Sequence, residues 1–246
     1  MLCKDIWCNV NRIKDLIRQT LWVSGAKGVV VGISGGIDSA VATTIAVKAL
    51  GPAHVLGVHM STASSSSLDH ADADELCDRL GIELLTIPLD GVVAAAFDDP
   101  HMTNSLVLRG NYVARLRMAT LYNIAAARDY LVCGTSNKTE YMIGYNTKWG
   151  DSAADIQPLL HLWKKDVYAI AEIFDISRSI IEKAPSAGFW EGQSDEDELG
   201  FSYQEIDTVL MNLEKHEFTP QNALEEQIFT LVRKNTHKRV SAASLL

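Results

Sequence analysis

A chain of 246 residues, 47% of them hydrophobic, can bury a substantial core and suits one α/β domain over 1–246. Its formal net charge of −9, with no dense Lys/Arg run, argues against nucleic acid as the main partner, so an anionic ligand must be held by local features. No apolar run approaches the roughly 18 residues of a membrane span, and the N-terminus lacks a signal-peptide core; a soluble, cytoplasmic protein without a membrane partner is expected. The cysteines Cys3, Cys8, Cys77 and Cys133 show no CxxC pair or metal-ligand spacing, which suggests reduced thiols.

Along residues 5–24, Ile6, Val10, Ile13, Leu16, Ile17 and Leu21 recur at three- and four-residue spacing, which predicts an amphipathic helix. Trp7 and Trp22 lie on or near that face and are expected in the core or at an interface. The β-branched run 29–33 predicts a fully buried strand, and the Ala-rich segment 38–50 a helix. Between them runs Gly32-Ile33-Ser34-Gly35-Gly36-Ile37-Asp38-Ser39. Gly35 and Gly36 allow positive φ and close backbone approach, while Ser34 and Ser39 set hydroxyls beside the free N–H groups of a helix start. Such a turn suits a phosphate. The Gly-Lys-Ser/Thr ending of a Walker A loop is missing, and Asp38 stands where that loop has its lysine. An acid beside polyphosphate calls for a divalent cation between them.

His54 to Met60 reads as a second strand, 61–67 as a small polar loop, 69–80 as a helix stopped by Gly81, and 82–87 as a third strand. Strand alternating with helix predicts a parallel, doubly wound α/β sheet with helices on both faces and sites at the carboxyl ends of its strands. The serine loop lies at such an end and is a candidate for contact with adenosine; a solvated linker is the plainer reading. Residues 110–127 read as a helix whose apolar positions Val113, Leu116, Ala119, Leu121 and Ile124 cover more than one face, with Arg115 and Arg117 among them. Asn111, Arg115 and Lys148 could grip an anionic substrate. Residues 130–135 predict a fourth strand, beyond whose end Thr135 and Glu140 can face the phosphate loop. The Gly-rich polar stretch 144–155 reads as a substrate loop within the domain. A helix at 162–174 has Trp163, Val167, Ile170 and Ala171 inward and Lys164 near its start. Residues 184–200 lack periodicity and set glycines and acids around Phe189-Trp190, which suggests a lid that orders over an apolar surface; a disordered acidic loop is the plainer reading. Helices at 202–214 and 222–234 follow.

The loop Ser34–Ser39 resembles the pyrophosphate-binding loop of the N-type ATP pyrophosphatases, which cleave ATP to AMP and pyrophosphate. Further motifs follow it in order: Gly110-Asn111, Ala114-Arg115, Arg117-Met118, Gly134-Thr135, Asn137-Lys138, Glu140, Thr147-Lys148, Gly150-Asp151, Lys164, Pro185-Ser186-Ala187, the segment 192–196, and His237-Lys238. With them, the chain resembles the ammonia-dependent NAD synthetases over about residues 5–240. The resemblance implies an adenine nucleotide alpha hydrolase-like fold and a ligase that uses Mg2+ and ATP to adenylate the nicotinate carboxylate of deamido-NAD. Ammonia then displaces AMP to give NAD. By position it implies that residues 32–39, Thr135, Lys164 and Ser186 bind ATP and that Asp38 and Glu140 bind Mg2+. It also implies that Arg115, Lys148, Asp151, His237 and Lys238 contact deamido-NAD, with catalytic parts for Asp151 and Lys164. A homodimer whose interface helps build the deamido-NAD site is implied as well. Two positions depart from the family pattern: Ser152, where glycine is usual, and Ser61, where proline is common. Two other readings share the loop. Another ATP pyrophosphatase would have a different second half, and a nucleotide sensor would leave Glu140, Lys164 and 184–200 without a job.

Overall fold

The computed structural model describes residues 5–63, 65–190, 192–242 and 244. Helix α1 (Ile6–Ser24) starts at Asp5, whose side chain accepts the Trp7 N–H, and stops at Gly25 in the left-handed conformation. It buries Val10, Ile13, Ile17 and Leu21, the expected stripe. Trp7 and Trp22 are not core residues: they are 52% and 84% exposed, because each sits one residue past the buried face.

Strand β1 (Gly28–Gly32) leads into α2 (Ile37–Leu50), then β2 (Val55–Ser61), α3 (Ser67–Leu80) and β3 (Glu83–Pro88). Helix α4 (Asp90–Phe97), which the sequence reading did not anticipate, and the long α5 (Leu106–Arg128) carry the chain across to β4 (Tyr130–Cys133). The strands are all parallel in the order β3-β2-β1-β4. Alternation sorts β1 between two cores: Val29 and Val31 join one with α1, α2 and α3, and Val30 joins the other with α4 and α5. Helix α2 is buried on nearly every side, which is why its sequence shows little polar face. Its Thr43 and Thr44 hydroxyls are satisfied by the carbonyls of Ser39 and Ala40, both at 2.7 Å.

Beyond β4 come α6 (Lys138–Ile143), α7 (Lys164–Ile173), α8 (Arg178–Ile181), α9 (Asp195–Leu199), α10 (Tyr203–Lys215) and α11 (Ala223–Lys234). Residues of α6, α10 and α11 form a third core around Ile143, Ile206, Leu210 and Ile228. Cys77 and Cys133 are free, buried thiols. Cys8 is disulfide-bonded, against the expectation of reduced thiols, and Cys3 lies outside the described residues. Sequence spacing is blind to this, since a bridge needs only two Cβ atoms within about 4 Å. Among the described residues no helix is long and apolar enough to cross a membrane.

The strand order reverses direction at β1. The chain runs outward from it through β2 and β3, then crosses back to lay β4 on its other side, so the carboxyl ends of β1 and β4 frame a crevice.

Candidate active site

The loop after β1 is held open by its own side chains. Ser34 Oγ accepts the Gly36 N–H at 3.2 Å, and Ser39 Oγ accepts the Ser34 N–H at 3.3 Å while donating to the Gly36 carbonyl at 2.8 Å. Gly36 is the N-cap of α2 and offers no side chain, so the first N–H groups of this 14-residue helix stay available for an anion. Gly35 is required twice over. Its φ is +77°, and a Cβ there would stand 2.6 Å from the Asp69 carbonyl oxygen and 2.8 Å from its Cα. Lys183 fastens this contact, donating to the Gly35 carbonyl at 2.9 Å, to Asp69 Oδ1 at 2.8 Å and to Asp72.

Charge converges at the mouth of the loop. Asp38, in the first turn of α2, takes Lys164 Nζ at 2.6 Å on one oxygen and Asn137 Nδ2 at 2.8 Å on the other. Lys164 Nζ also reaches Glu140 Oε1 at 3.0 Å. Lys164 is buried, and the start of α7 that carries it is clamped: its N–H donates to Thr139 Oγ1 at 2.9 Å, the Thr139 hydroxyl donates to Asp207, and the Lys165 N–H donates to Asp207 Oδ2 at 2.9 Å. Burial and the like charge of Asp38 outweigh the attraction of Lys164 and push Glu140 up to about 7. For Lys164 the balance runs the other way: burial lowers its pKa, but Asp38 and Glu140 more than offset this, so the lysine stays charged.

These groups border a cleft of about 510 Å³ that continues from the phosphate loop past Thr135, Ser186 and Asp151 to Lys238. The Asp151 carboxyl accepts the Thr147 N–H at 2.8 Å. Desolvation in the cleft raises its pKa against that hydrogen bond and the charges of Lys238 and Arg117. Ser152, the departure beside it, turns its hydroxyl onto the Thr147 carbonyl at 3.1 Å and so braces the loop. Lys238 Nζ donates to the carbonyls of Gly144 and Asn146, both at 2.7 Å. From 184–200, Phe189 packs on α5 and joins the second core, and Trp190 borders the cleft; Ala187 N–H and Tyr145 and Tyr203 hydroxyls all converge on Asp195. The serine loop contributes Ser65 to the cleft wall, while Ser66 caps α3.

A sequence model described as NAD synthase matches residues 9–242. The chain belongs to the NAD synthase family. Its relatives include the NH(3)-dependent NAD(+) synthetases of Methanoregula boonei, 44% identical over all of this chain and 99% of that one, and Methanocaldococcus jannaschii, 40% identical over 94% and 93%. Among solved structures, the NMN synthetase of Francisella tularensis superposes with a TM-score of 0.90 at 37% identity, covering 98% of this chain and 99% of the other. The NH3-dependent NAD synthetase of Campylobacter jejuni gives 0.84 at 31% identity over 98% and 100%.

Against this family the residues expected on ATP and Mg2+ sit together: the loop 32–39 with Asp38, Thr135, Glu140, Lys164 and Ser186 meet at one crevice. Of the residues expected on the second substrate, Asp151 and Lys238 line the cleft, but Arg115, Lys148 and His237 do not. Those three form a chain outside it, Arg115 Nε donating to the Lys148 carbonyl at 3.2 Å and Lys148 Nζ to the His237 carbonyl at 2.6 Å. The sequence reading gave no role to Asn137, which is wholly buried, binds Asp38, and caps α6 by accepting the Glu140 N–H at 3.0 Å. Its signal was present: Asn followed three residues later by Glu marks a helix start. Lys183 had no local signal at all.

Proposed function

We propose that this chain makes NAD from deamido-NAD, ATP and ammonia, releasing AMP and pyrophosphate in the cytoplasm. One observation carries the reading: Asp38, Lys164 and Glu140 meet within 3.0 Å contacts at the mouth of a phosphate loop that has an acid in place of the Walker lysine. A carboxylate is a poor electrophile, so forming an amide requires that one of its oxygens become part of a leaving group. Attack of that oxygen on the α-phosphate expels pyrophosphate, which the N–H groups of α2 and Lys164 would stabilise. Ammonia then adds to the acyl carbon, AMP leaves, and Asp151, at the substrate side of the cleft, would hold ammonia and take up its proton.

Asp38 and Glu140 fit a magnesium ion, since hard oxygen donors beside phosphate are its usual setting; bound there, it would neutralise charge on the departing pyrophosphate. No set of three or more His, Cys, Asp or Glu side chains fit for a metal occurs among the described residues, so phosphate and water oxygens would complete its coordination. Because Lys164 already balances the two carboxylates, metal removal should spare the fold. Excess chelator is expected to abolish NAD formation while leaving the melting temperature within about 2 °C, the shift that about 0.5–1 kcal/mol would give. A large drop in melting temperature would count against this picture.

The decisive assay supplies ATP, Mg2+, deamido-NAD and ammonium and measures NAD, AMP and pyrophosphate together. Stoichiometric ADP and phosphate would refute the reading. A second acceptor has support in the 0.90 superposition on an NMN synthetase: nicotinate mononucleotide carries the same carboxylate. Rates with the two acceptors, compared at equal concentration, separate them.

A homodimer would complete the dinucleotide site. Leu106, Val107 and Leu108, at 60%, 61% and 48% exposure, put apolar surface at the start of α5 beside the cleft, and Arg115 faces outward from the same helix. An obligate apolar interface should survive dilution to micromolar concentration, so sedimentation should give a single dimeric species there. A fully active monomer would remove both the dimer and its part in the site.

A further inference from the structure

Helix α5 places two arginines two positions apart, which turns them about 200° from one another. Arg115 faces out, and Arg117 borders the cleft. The lysines of the cleft are committed: Lys164 to Asp38 and Glu140, Lys183 to Asp69 and Asp72, Lys238 to two carbonyls. Arg117 differs from them. Its Nε is closed off from solvent and has no hydrogen-bond partner among the described residues. The Phe189 ring lies 5.7 Å from its guanidinium carbon and covers it from the lid side. Burying a charged donor without an acceptor costs free energy that a merely structural arginine would not be left to bear.

Its surroundings narrow what the acceptor is. Desolvation lowers the Arg117 pKa, and the carboxylates whose charge opposes this are Asp151 and Asp69. Asp151 belongs to the substrate loop, whereas Asp69 touches Gly35 of the phosphate loop. Arg117 therefore stands at the joint between the two halves of the cleft, where the carboxylate must meet the α-phosphate. The phosphate side already has Lys164 and the N-terminus of α2; on the dinucleotide side Asp151 would repel an incoming carboxylate. The geometry points to Arg117 as the residue that binds the carboxylate to be adenylated, an assignment that rests on the proposed reaction. A guanidinium fork matches a carboxylate in shape and charge and can leave one oxygen free to attack. The product amide is neutral, so the same contact weakens once nitrogen has been transferred.

The test is a comparison of dissociation constants by calorimetry on the full chain, with deamido-NAD, NAD and ATP as separate ligands. Charge-assisted hydrogen bonds predict that the unaltered protein prefers deamido-NAD to NAD by about ten- to a hundredfold. Arg117→Met should bring that preference to near one and lower kcat, with ATP affinity within about threefold, which also shows that the fold is intact. Arg117→Lys should keep part of the preference. An Arg117→Met protein that retains the full preference, or that loses ATP affinity while retaining it, would overturn the assignment. If the unaltered protein forms no NAD, the reaction itself is wrong; if it does and the preference survives in Arg117→Met, only Arg117 has been misassigned.

Discussion

Lys164→Met is expected to lower the rate of NAD formation by at least about a hundredfold and to destabilise the fold by about 3–5 kcal/mol. The rate loss follows from the proposed reaction, in which this cation would face the departing pyrophosphate. The stability loss follows from burial: Asp38 and Glu140 would be left facing each other without their shared partner. The second effect should depend on pH. Glu140, held at about 7 against an ordinary 4.5, binds its proton more tightly folded than unfolded, so its contribution improves as pH falls from about 7 toward 4.5 and is unfavourable above that window. Removing Lys164 raises Glu140 further, so the variant's deficit should be largest above pH 7. Adding Glu140→Gln should restore much of the stability and none of the rate. Thermal melts of the single and double variants across that pH range check this, and a deficit that grew on acidification would contradict it.

Gly35→Ala should disable the phosphate loop directly. The left-handed conformation costs a non-glycine residue about 1–2 kcal/mol, and the new Cβ would meet backbone atoms of Asp69 at 2.6 and 2.8 Å, which cannot swing aside. The loop or the start of α3 must move, and with it the Lys183 contacts that bind them together. A fall of about a hundredfold in kcat/KM for ATP is expected, with circular dichroism unchanged, since α2 and β1 are held by their own cores. Near-normal ATP kinetics would mean that the loop does not cradle phosphate in this conformation.

Local chemistry made the phosphate loop legible. Two glycines, two serines and an acid between a β-branched strand and a helix leave few alternatives, and the structure brings those groups together as read. Lys164 was harder: it meets Asp38 across 126 positions, and only the family resemblance joined them. The phase of α5 was not readable. Apolar residues on more than one face gave no way to tell which arginine enters the cleft, and the structure turns Arg117 inward and Arg115 outward. Helix α4 was missed because Val92, Val93 and three alanines in a short run give no clear helical period. For Trp7 and Trp22, hydrophobicity outweighed phase in the reading, yet a helix that buries a narrow stripe leaves neighbours one residue away in solvent.

The seat of Phe189 bears on which nucleophile wins. Its ring rests against α5 at Gly110, where a Cβ would stand 2.9 Å from the ring carbon, so the fit leaves no room for one methyl group. An acyl-adenylate is open to water as well as to ammonia, and water is by far the more abundant. If water attacks, the acceptor is regenerated and ATP has been consumed in a futile cycle. If that aromatic ring shuts water out of the cleft, the yield of amide per ATP would depend on how closely it seats against α5, and the missing side chain at position 110 would bear on the choice of nitrogen over oxygen.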